Sequence, residues 1–229
     1  FPTRRSSDLL DEIKLLRYLN RLDPNDEHGV VRLLDFFYYR EHLFLVFELL
    51  RHNLYEVQQK SIKEHGTVSS AGYYFSTQRI KSVAKQVLTA LSFLHSKNII
   101  HSDLKPENVL VKSMEACTVK VIDLGSSCFV TDFLGSYVQS RSYRAPEVIL
   151  GVDYDQKIDV WSLGCMLVEL FTGSVLFQST CLSELLVKVS LRSINQFASV
   201  DCRLRVFVDQ CHRGCCLRAN SPRSTIQHR

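Results

Sequence analysis

Nine consecutive residues, His101-Ser102-Asp103-Leu104-Lys105-Pro106-Glu107-Asn108-Val109, put an acid, a lysine and an amide at positions 103, 105 and 108. The apolar runs on either side, 98–100 and 109–111, have the make-up of short strands, and Pro106 stiffens the turn between them. With its ends held, such a loop can aim three unlike polar groups at one small volume. A carboxylate accepts a proton, an ammonium meets negative charge, and an amide oxygen is a hard ligand for a small cation. Each group also has an ordinary structural use. Asp103 can cap the turn, Asn108 can brace it, and Asp123, a second acid after a later apolar run, can end a strand. Only together do they acquire chemical meaning.

The elements that must position this loop follow from periodicity. Leu10, Ile13, Leu16 and Leu19 fall at helical spacing, which predicts a helix over 10–21 closed by Pro24. Glu12 sits one position off that stripe, where a solvated charge is the default. Two aromatic and β-branched runs, 30–39 and 43–50, surround Arg40-Glu41 and read as an antiparallel hairpin. A short helix over 53–59 and a polar loop with Gly66, Ser69, Ser70 and Gly72 follow. Ile80, Val83, Ala84, Val87, Leu91 and Leu94 then share one face of a long helix over 78–96, which delivers the chain to the polar loop. After it come strands at 109–112 and 119–122, whose ends present Asp123-Leu124-Gly125, and an irregular stretch of a length that usually carries function. The run 159–171 is apolar nearly all round, with only Asp159, Ser162 and Glu169 strongly polar, and reads as a buried central helix.

At 229 residues, 45% apolar and 23% charged, the chain has the composition of a globular protein with one good core. No run of eighteen apolar residues occurs and nothing reads as a secretory signal, so no membrane span is expected. The expected location is cytoplasmic or nuclear, and the eight Cys are expected to be free rather than paired. The net charge of +4 is unevenly placed: from residue 190 onward there are seven Arg against two Asp, which leaves the body nearly neutral. Nucleic acid is therefore not an expected partner. Residues 1–9 show no period and read as a translated adapter remnant or a disordered leader. Residues 190–229, in which Lys disappears and Arg and Cys accumulate, read as a poorly ordered tail of the kind an intron or a shifted frame produces. Cys211-His212 and Cys215-Cys216 lack the second knuckle that a zinc module needs.

The motifs HSDLKPEN, DLG, SYRAPE and DVWSLG, in that order over residues 10–189, resemble the protein kinase family. Ser140-Arg141-Ser142-Tyr143-Arg144 before Ala145-Pro146-Glu147, with Tyr137 upstream and Gly125-Ser126-Ser127-Cys128 after the acid, resembles the dual-specificity tyrosine-phosphorylation-regulated (DYRK) branch of the CMGC group. The run DEIKLL and the NLYE motif resemble plant-like members. The resemblance implies an α+β, two-lobe kinase fold: a truncated N-terminal lobe over 10–50 and an incomplete, mostly helical C-terminal lobe over 51–189. It implies ATP and Mg2+ as cofactors and protein substrates as partners. Asp103 would take the proton of the substrate hydroxyl, Lys105 would reach the transferring phosphoryl oxygens as in serine/threonine kinases, and Asn108 and Asp123 would ligate magnesium. Glu12 would pair with the lysine that holds the ATP phosphates. Glu48 to Leu50 would form the adenine-binding hinge, Phe47 would guard the back of the pocket, and Leu110 and Ile122 would floor it.

Three departures accompany the resemblance. Ser102 stands where most kinases carry an Arg that binds activation-loop phosphate, so Arg141 and Arg144 are expected to serve a phosphorylated Tyr137. Leu124 stands for Phe in the D-F-G motif, a volume-conserving change. No Gly precedes Gly29 and no Lys precedes Lys14, so the sequence contains neither a glycine-rich phosphate loop nor an ATP-anchoring lysine. The expectation is a fragment of a serine/threonine kinase that autophosphorylates on Tyr137, with little activity of its own. The alternative is a pseudokinase-like scaffold or binding module.

Overall fold

A helix of seventeen residues, α1 (Ser6–Leu22), opens the described part of the chain. The computed structural model describes residues 6–66, 73–132, 135, 137–179, 181 and 184–189. Helix α1 begins at Ser6, four residues ahead of the expected start. The expected leader thus gives up its last four residues to α1. The rest of it, the expected tail and the cysteines tested for zinc lie outside the described residues. Ile13, Leu16 and Leu19 bury the apolar stripe of α1, and the adjoining turn leads into β1 (Leu33–Tyr39).

Strand β1 pairs antiparallel with β2 (His42–Phe47) through Arg40 and Glu41, both at positive φ. The hairpin is the expected one, but β1 starts at Leu33 rather than Val30. Val30 and Val31 leave the hairpin to reach across the molecule, where the Val31 amide donates to Val121 O at 2.9 Å and the Val121 amide to Gly29 O at 2.8 Å. Gly29 takes a φ of +69°, which glycine adopts without strain.

Asn53 caps α2 (Leu54–His65) in a full capping box with Glu56, and Gly66 ends it. This helix runs six residues past its expected end: residues 60–65 carry few apolar positions, and the cap, not the stripe, marks its extent. Helix α3 (Thr77–Ser96) buries the six apolar residues read from its spacing, together with Ala90 and Phe93. It leads to β3 (Ile99–Ile100), the polar loop, β4 (Val109–Ser113) and β5 (Thr118–Val121), the last two pairing antiparallel. Strand β3 finds an unexpected partner in β6 (Cys128–Phe129), formed within the stretch read as irregular. The short α4 (Pro146–Leu150) has Pro at its first position and Gly151 at its end.

Helix α5 (Lys157–Thr172) is the expected buried centre, and its three polar side chains explain how a helix so apolar is placed. Fully buried Asp159 accepts the amides of His101 at 2.9 Å and Ser102 at 3.0 Å. Ser162 donates to Tyr143 O at 2.8 Å, and Glu169 accepts the Tyr143 hydroxyl at 2.6 Å. Among the described residues no helix is long and apolar enough to cross a membrane, and Cys117, Cys128 and Cys165 form no disulfide.

Candidate active site

The loop between β3 and β4 turns back on itself through one acid. A short 3-10 turn at Pro106–Asn108 and the Asn108 side chain, which donates to Asp103 O at 2.8 Å and Asp103 Oδ2 at 3.3 Å, fold residues 103 and 108 together. Lys105 donates to Asp103 Oδ2 at 2.6 Å. The three groups read from their spacing therefore share one volume, as an eight-residue loop pinned at both ends requires. Its anchors are buried: His101 Nε2 donates to Ile122 O at 3.0 Å while its Nδ1 accepts the Asp103 amide at 3.3 Å. From below, Asp159 fixes the backbone at His101 and Ser102. Ser102 holds a φ of 66°, a strained conformation that these charge-assisted bonds offset.

The other half of the site arrives on β5. The Ile122 amide donates to Asn108 O at 3.0 Å, which sets Asp123 beside Asn108. Asp123 also has positive φ, 61°, and its Oδ1 accepts the Gly125 amide at 3.3 Å. The amide nitrogen of Asn108 is spent on Asp103, so its oxygen is what it can offer a cation. One amide oxygen and one carboxylate are a donor set suited to magnesium, which takes few protein ligands when phosphates supply the rest. Among the described residues there is no group of three or more His, Cys, Asp or Glu that could hold a metal ion.

One residue of the site carries no signal in the spacing. Ser140 donates its backbone amide at 3.1 Å and its hydroxyl at 2.7 Å to Asp103 Oδ1, and accepts from Lys105 Nζ at 3.2 Å. It lies 37 positions from Asp103, and serine is too common a loop residue for its type to single it out. Its partner loop is set by Gln139, whose side chain donates to Ile158 O and Ser162 Oγ and accepts the Ala145 amide.

The residues expected around the nucleotide come from α1, the end of β2, β4 and the turn after β5. The segment after Glu48 to Leu50 joins the edge of β4, with the Arg51 amide donating to Val111 O at 2.8 Å and the Val111 amide to His52 O at 3.0 Å. This pairing bridges Asn53 to half-buried Leu110, while half-buried Ile122 precedes Asp123. Phe47 is 37% exposed at the end of β2, away from the core. Glu12 is 7% exposed, which rules out the solvated charge, and it lines a groove with Leu124 and Gly125.

Tyr137 is 68% exposed, so it is not a buried packing residue. The Arg144 guanidinium lies 4.1 Å from its ring centroid. Hydrogen bonding to Arg144 and then Arg141 holds the Tyr137 phenol below its ordinary pKa. Arg144 itself is buried and anchored by Val138 O at 2.8 Å and Gln139 O at 2.7 Å.

An acid, a lysine and an amide on a loop between strands, a second acid after the next hairpin and a buried central helix beneath them are the arrangement expected of the protein kinase fold. The family model described as the protein kinase domain matches residues 2–228, and the chain belongs to that family. It is 46% identical over 190 residues, 80% of this chain, to the probable serine/threonine-protein kinase dyrk2 of Dictyostelium discoideum. It is 43% identical over 182 residues to dual specificity tyrosine-phosphorylation-regulated kinase 2 of Drosophila melanogaster, and 44% identical over 183 residues to kinase 3 of that name from Homo sapiens. These matches cover 76% and 77% of this chain. Within the family its place is the DYRK-like branch of the CMGC group. The chain spans 20%, 24% and 30% of the lengths of these three relatives.

Proposed function

We propose that the protein to which this chain belongs transfers the γ-phosphoryl group of ATP to Ser or Thr hydroxyls of protein substrates. The observation that carries this reading is Asp103, whose two carboxylate oxygens are oriented by Ser140 on one side and by Lys105 and Asn108 on the other. Phosphoryl transfer asks a protein mainly to position reactants and to neutralise spreading negative charge. Asp103 orients the substrate hydroxyl and accepts its proton as the bond to phosphorus forms. Lys105, already paired with Asp103, lies within reach of the phosphoryl oxygens and meets their charge. Asn108 and Asp123 would hold magnesium, which supplies charge neutralisation when bound with ATP. Leu50, Leu110 and Ile122 offer an apolar slot for adenine beside the hinge backbone, with Phe47 at its back.

The test is radiolabel transfer from ATP by the full-length protein. Asp103→Asn keeps the size of the side chain but removes the base, and kcat is expected to fall by about 10²-fold or more. Undiminished transfer by that variant would instead favour a scaffold that keeps the fold without the chemistry.

Tyr137 is the second element of the proposal. Exposed and facing two arginines, it is the residue the protein phosphorylates on itself, after which Arg144 and Arg141 hold the phosphate through charge-assisted bonds. A phosphopeptide map of the active full-length protein is expected to show Tyr137 modified, and a map without it sinks this assignment.

A further inference from the structure

Lys120 is a buried lysine without a role in the chemistry. On β5, three residues before Asp123, it is 3% exposed, and its ammonium meets two carboxylates. Asp26 receives it at 2.6 and 2.7 Å, and Glu48 Oε1 lies in very short contact with it. Asp26 stands in the turn after α1 at a φ of 58°, a strained conformation for a non-glycine residue. Glu48 closes the exit from the β1–β2 hairpin: its amide donates to Arg32 O at 3.2 Å and its Oε1 accepts the Arg32 amide at 3.0 Å. One ammonium therefore ties together the turn after α1, the hinge and the strand that delivers the magnesium acid. Burial opposes ionisation of Asp26, but hydrogen bonds from Lys120 and Lys112 outweigh it and hold that carboxyl below its ordinary value. Exposed Lys112, 3.2 Å from Asp26, is the remaining charge at this cluster.

A buried ion pair is a poor source of stability, since desolvation consumes most of its Coulombic gain, but it is demanding about geometry. What this cluster demands is the position of Glu48. With its side chain turned to Lys120, Glu48 leaves only backbone toward the nucleotide. Lys120 also stands opposite Leu110 in the β4–β5 ladder, so the hinge is referenced to the strand pair that floors the adenine slot.

We infer that Lys120 is a positioning residue for ATP: through Glu48 and Asp26 it holds the hinge backbone at a set distance from Leu110 and Ile122. The inference rests on the kinase reading above. It predicts an effect on nucleotide affinity and not on the chemical step, because the Lys120 ammonium is buried against Asp26 and Glu48 and bonds none of Asp103, Lys105 and Asn108.

The experiment compares full-length wild type with Lys120→Met, Glu48→Gln and Lys112→Met, measuring kcat and KM for ATP by radiolabel transfer and Kd by titration with a fluorescent ATP analogue. Lys120→Met is expected to raise KM and Kd about tenfold, worth ~1.4 kcal/mol, with kcat within about twofold of wild type. Glu48→Gln, which keeps size and an acceptor oxygen, gives a smaller rise in the same direction. Lys112→Met, which removes only the exposed partner of Asp26, leaves both constants within about twofold. An unchanged Kd in folded Lys120→Met, an equal rise in Lys112→Met, or a loss of kcat with KM intact overturns the inference. If Lys120→Met does not fold, Glu48→Gln decides, and an unchanged Kd there is equally fatal. Absence of phosphoryl transfer by wild type would instead sink the kinase reading, and the Kd comparison would still judge Lys120.

Discussion

Asp103 is held from two sides that differ in kind. Lys105 and Asn108 come from its own loop, whereas Ser140 comes from a distant segment and bonds one carboxylate oxygen twice. A carboxylate with one oxygen fixed by Ser140 presents a narrower range of orientations to a substrate hydroxyl, which is what positioning catalysis requires. Ser140→Ala removes the hydroxyl bond and leaves the backbone bond, so the full-length protein is expected to lose kcat by about tenfold with KM for ATP within about twofold, as steady-state kinetics would show. Asp103, Lys105 and Asn108 were legible because eight residues of sequence already confine them. Ser140 was not, because nothing in a sequence states which distant loop will close over an acid.

The turn between α1 and β1 shows how an element's end is secured by its acids. Asp23 accepts the amides of Glu27 at 3.0 Å and His28 at 3.1 Å, with the His28 ring also at 3.0 Å. Burial opposes ionisation of Asp23, yet the Glu27 amide and His28 prevail and its pKa is lowered. A carboxyl lowered on folding contributes stability that is fully present above its ordinary value of 3.8 and is lost as pH falls through the lower folded value. Chemical denaturation of the full-length protein is therefore expected to show a falling midpoint below about pH 4, and Asp23→Asn is expected to flatten part of that fall. An unchanged acid slope in the variant would remove Asp23 from this account. In α5 the polar residues act in the same structural sense: Asp159 secures the backbone after β3 against the helix, and Ser162 and Glu169 both secure Tyr143. Their presence on an otherwise apolar helix was visible in the sequence, but their partners were not.

For the whole molecule, the two lobes contribute unequally to the site. The groups proposed for the chemical step lie on the loop, on β5 and on the segment before α4, and all of these stand on α5 and α3. The residues proposed for the nucleotide side are Glu48 to Leu50, Leu110, Ile122 and buried Glu12, and the 229 residues hold no glycine-rich loop ahead of them. The 229-residue polypeptide alone is therefore expected to bind ATP at least about tenfold more weakly than the full-length protein, a comparison that calorimetry makes directly. Equal affinities would show that the residues present here suffice. By itself the sequence made α1, α3, α5 and the make-up of the loop legible, since these follow from short-range pattern: period for α1 and α3, a nearly continuous apolar run for α5, and eight residues for the acid, lysine and amide. Tertiary structure alone decided what meets across distance: the β3–β6 pair, Ser140 on Asp103 and Lys120 between Asp26 and Glu48. Such contacts join segments tens of residues apart, and their geometry exists only once the core has packed.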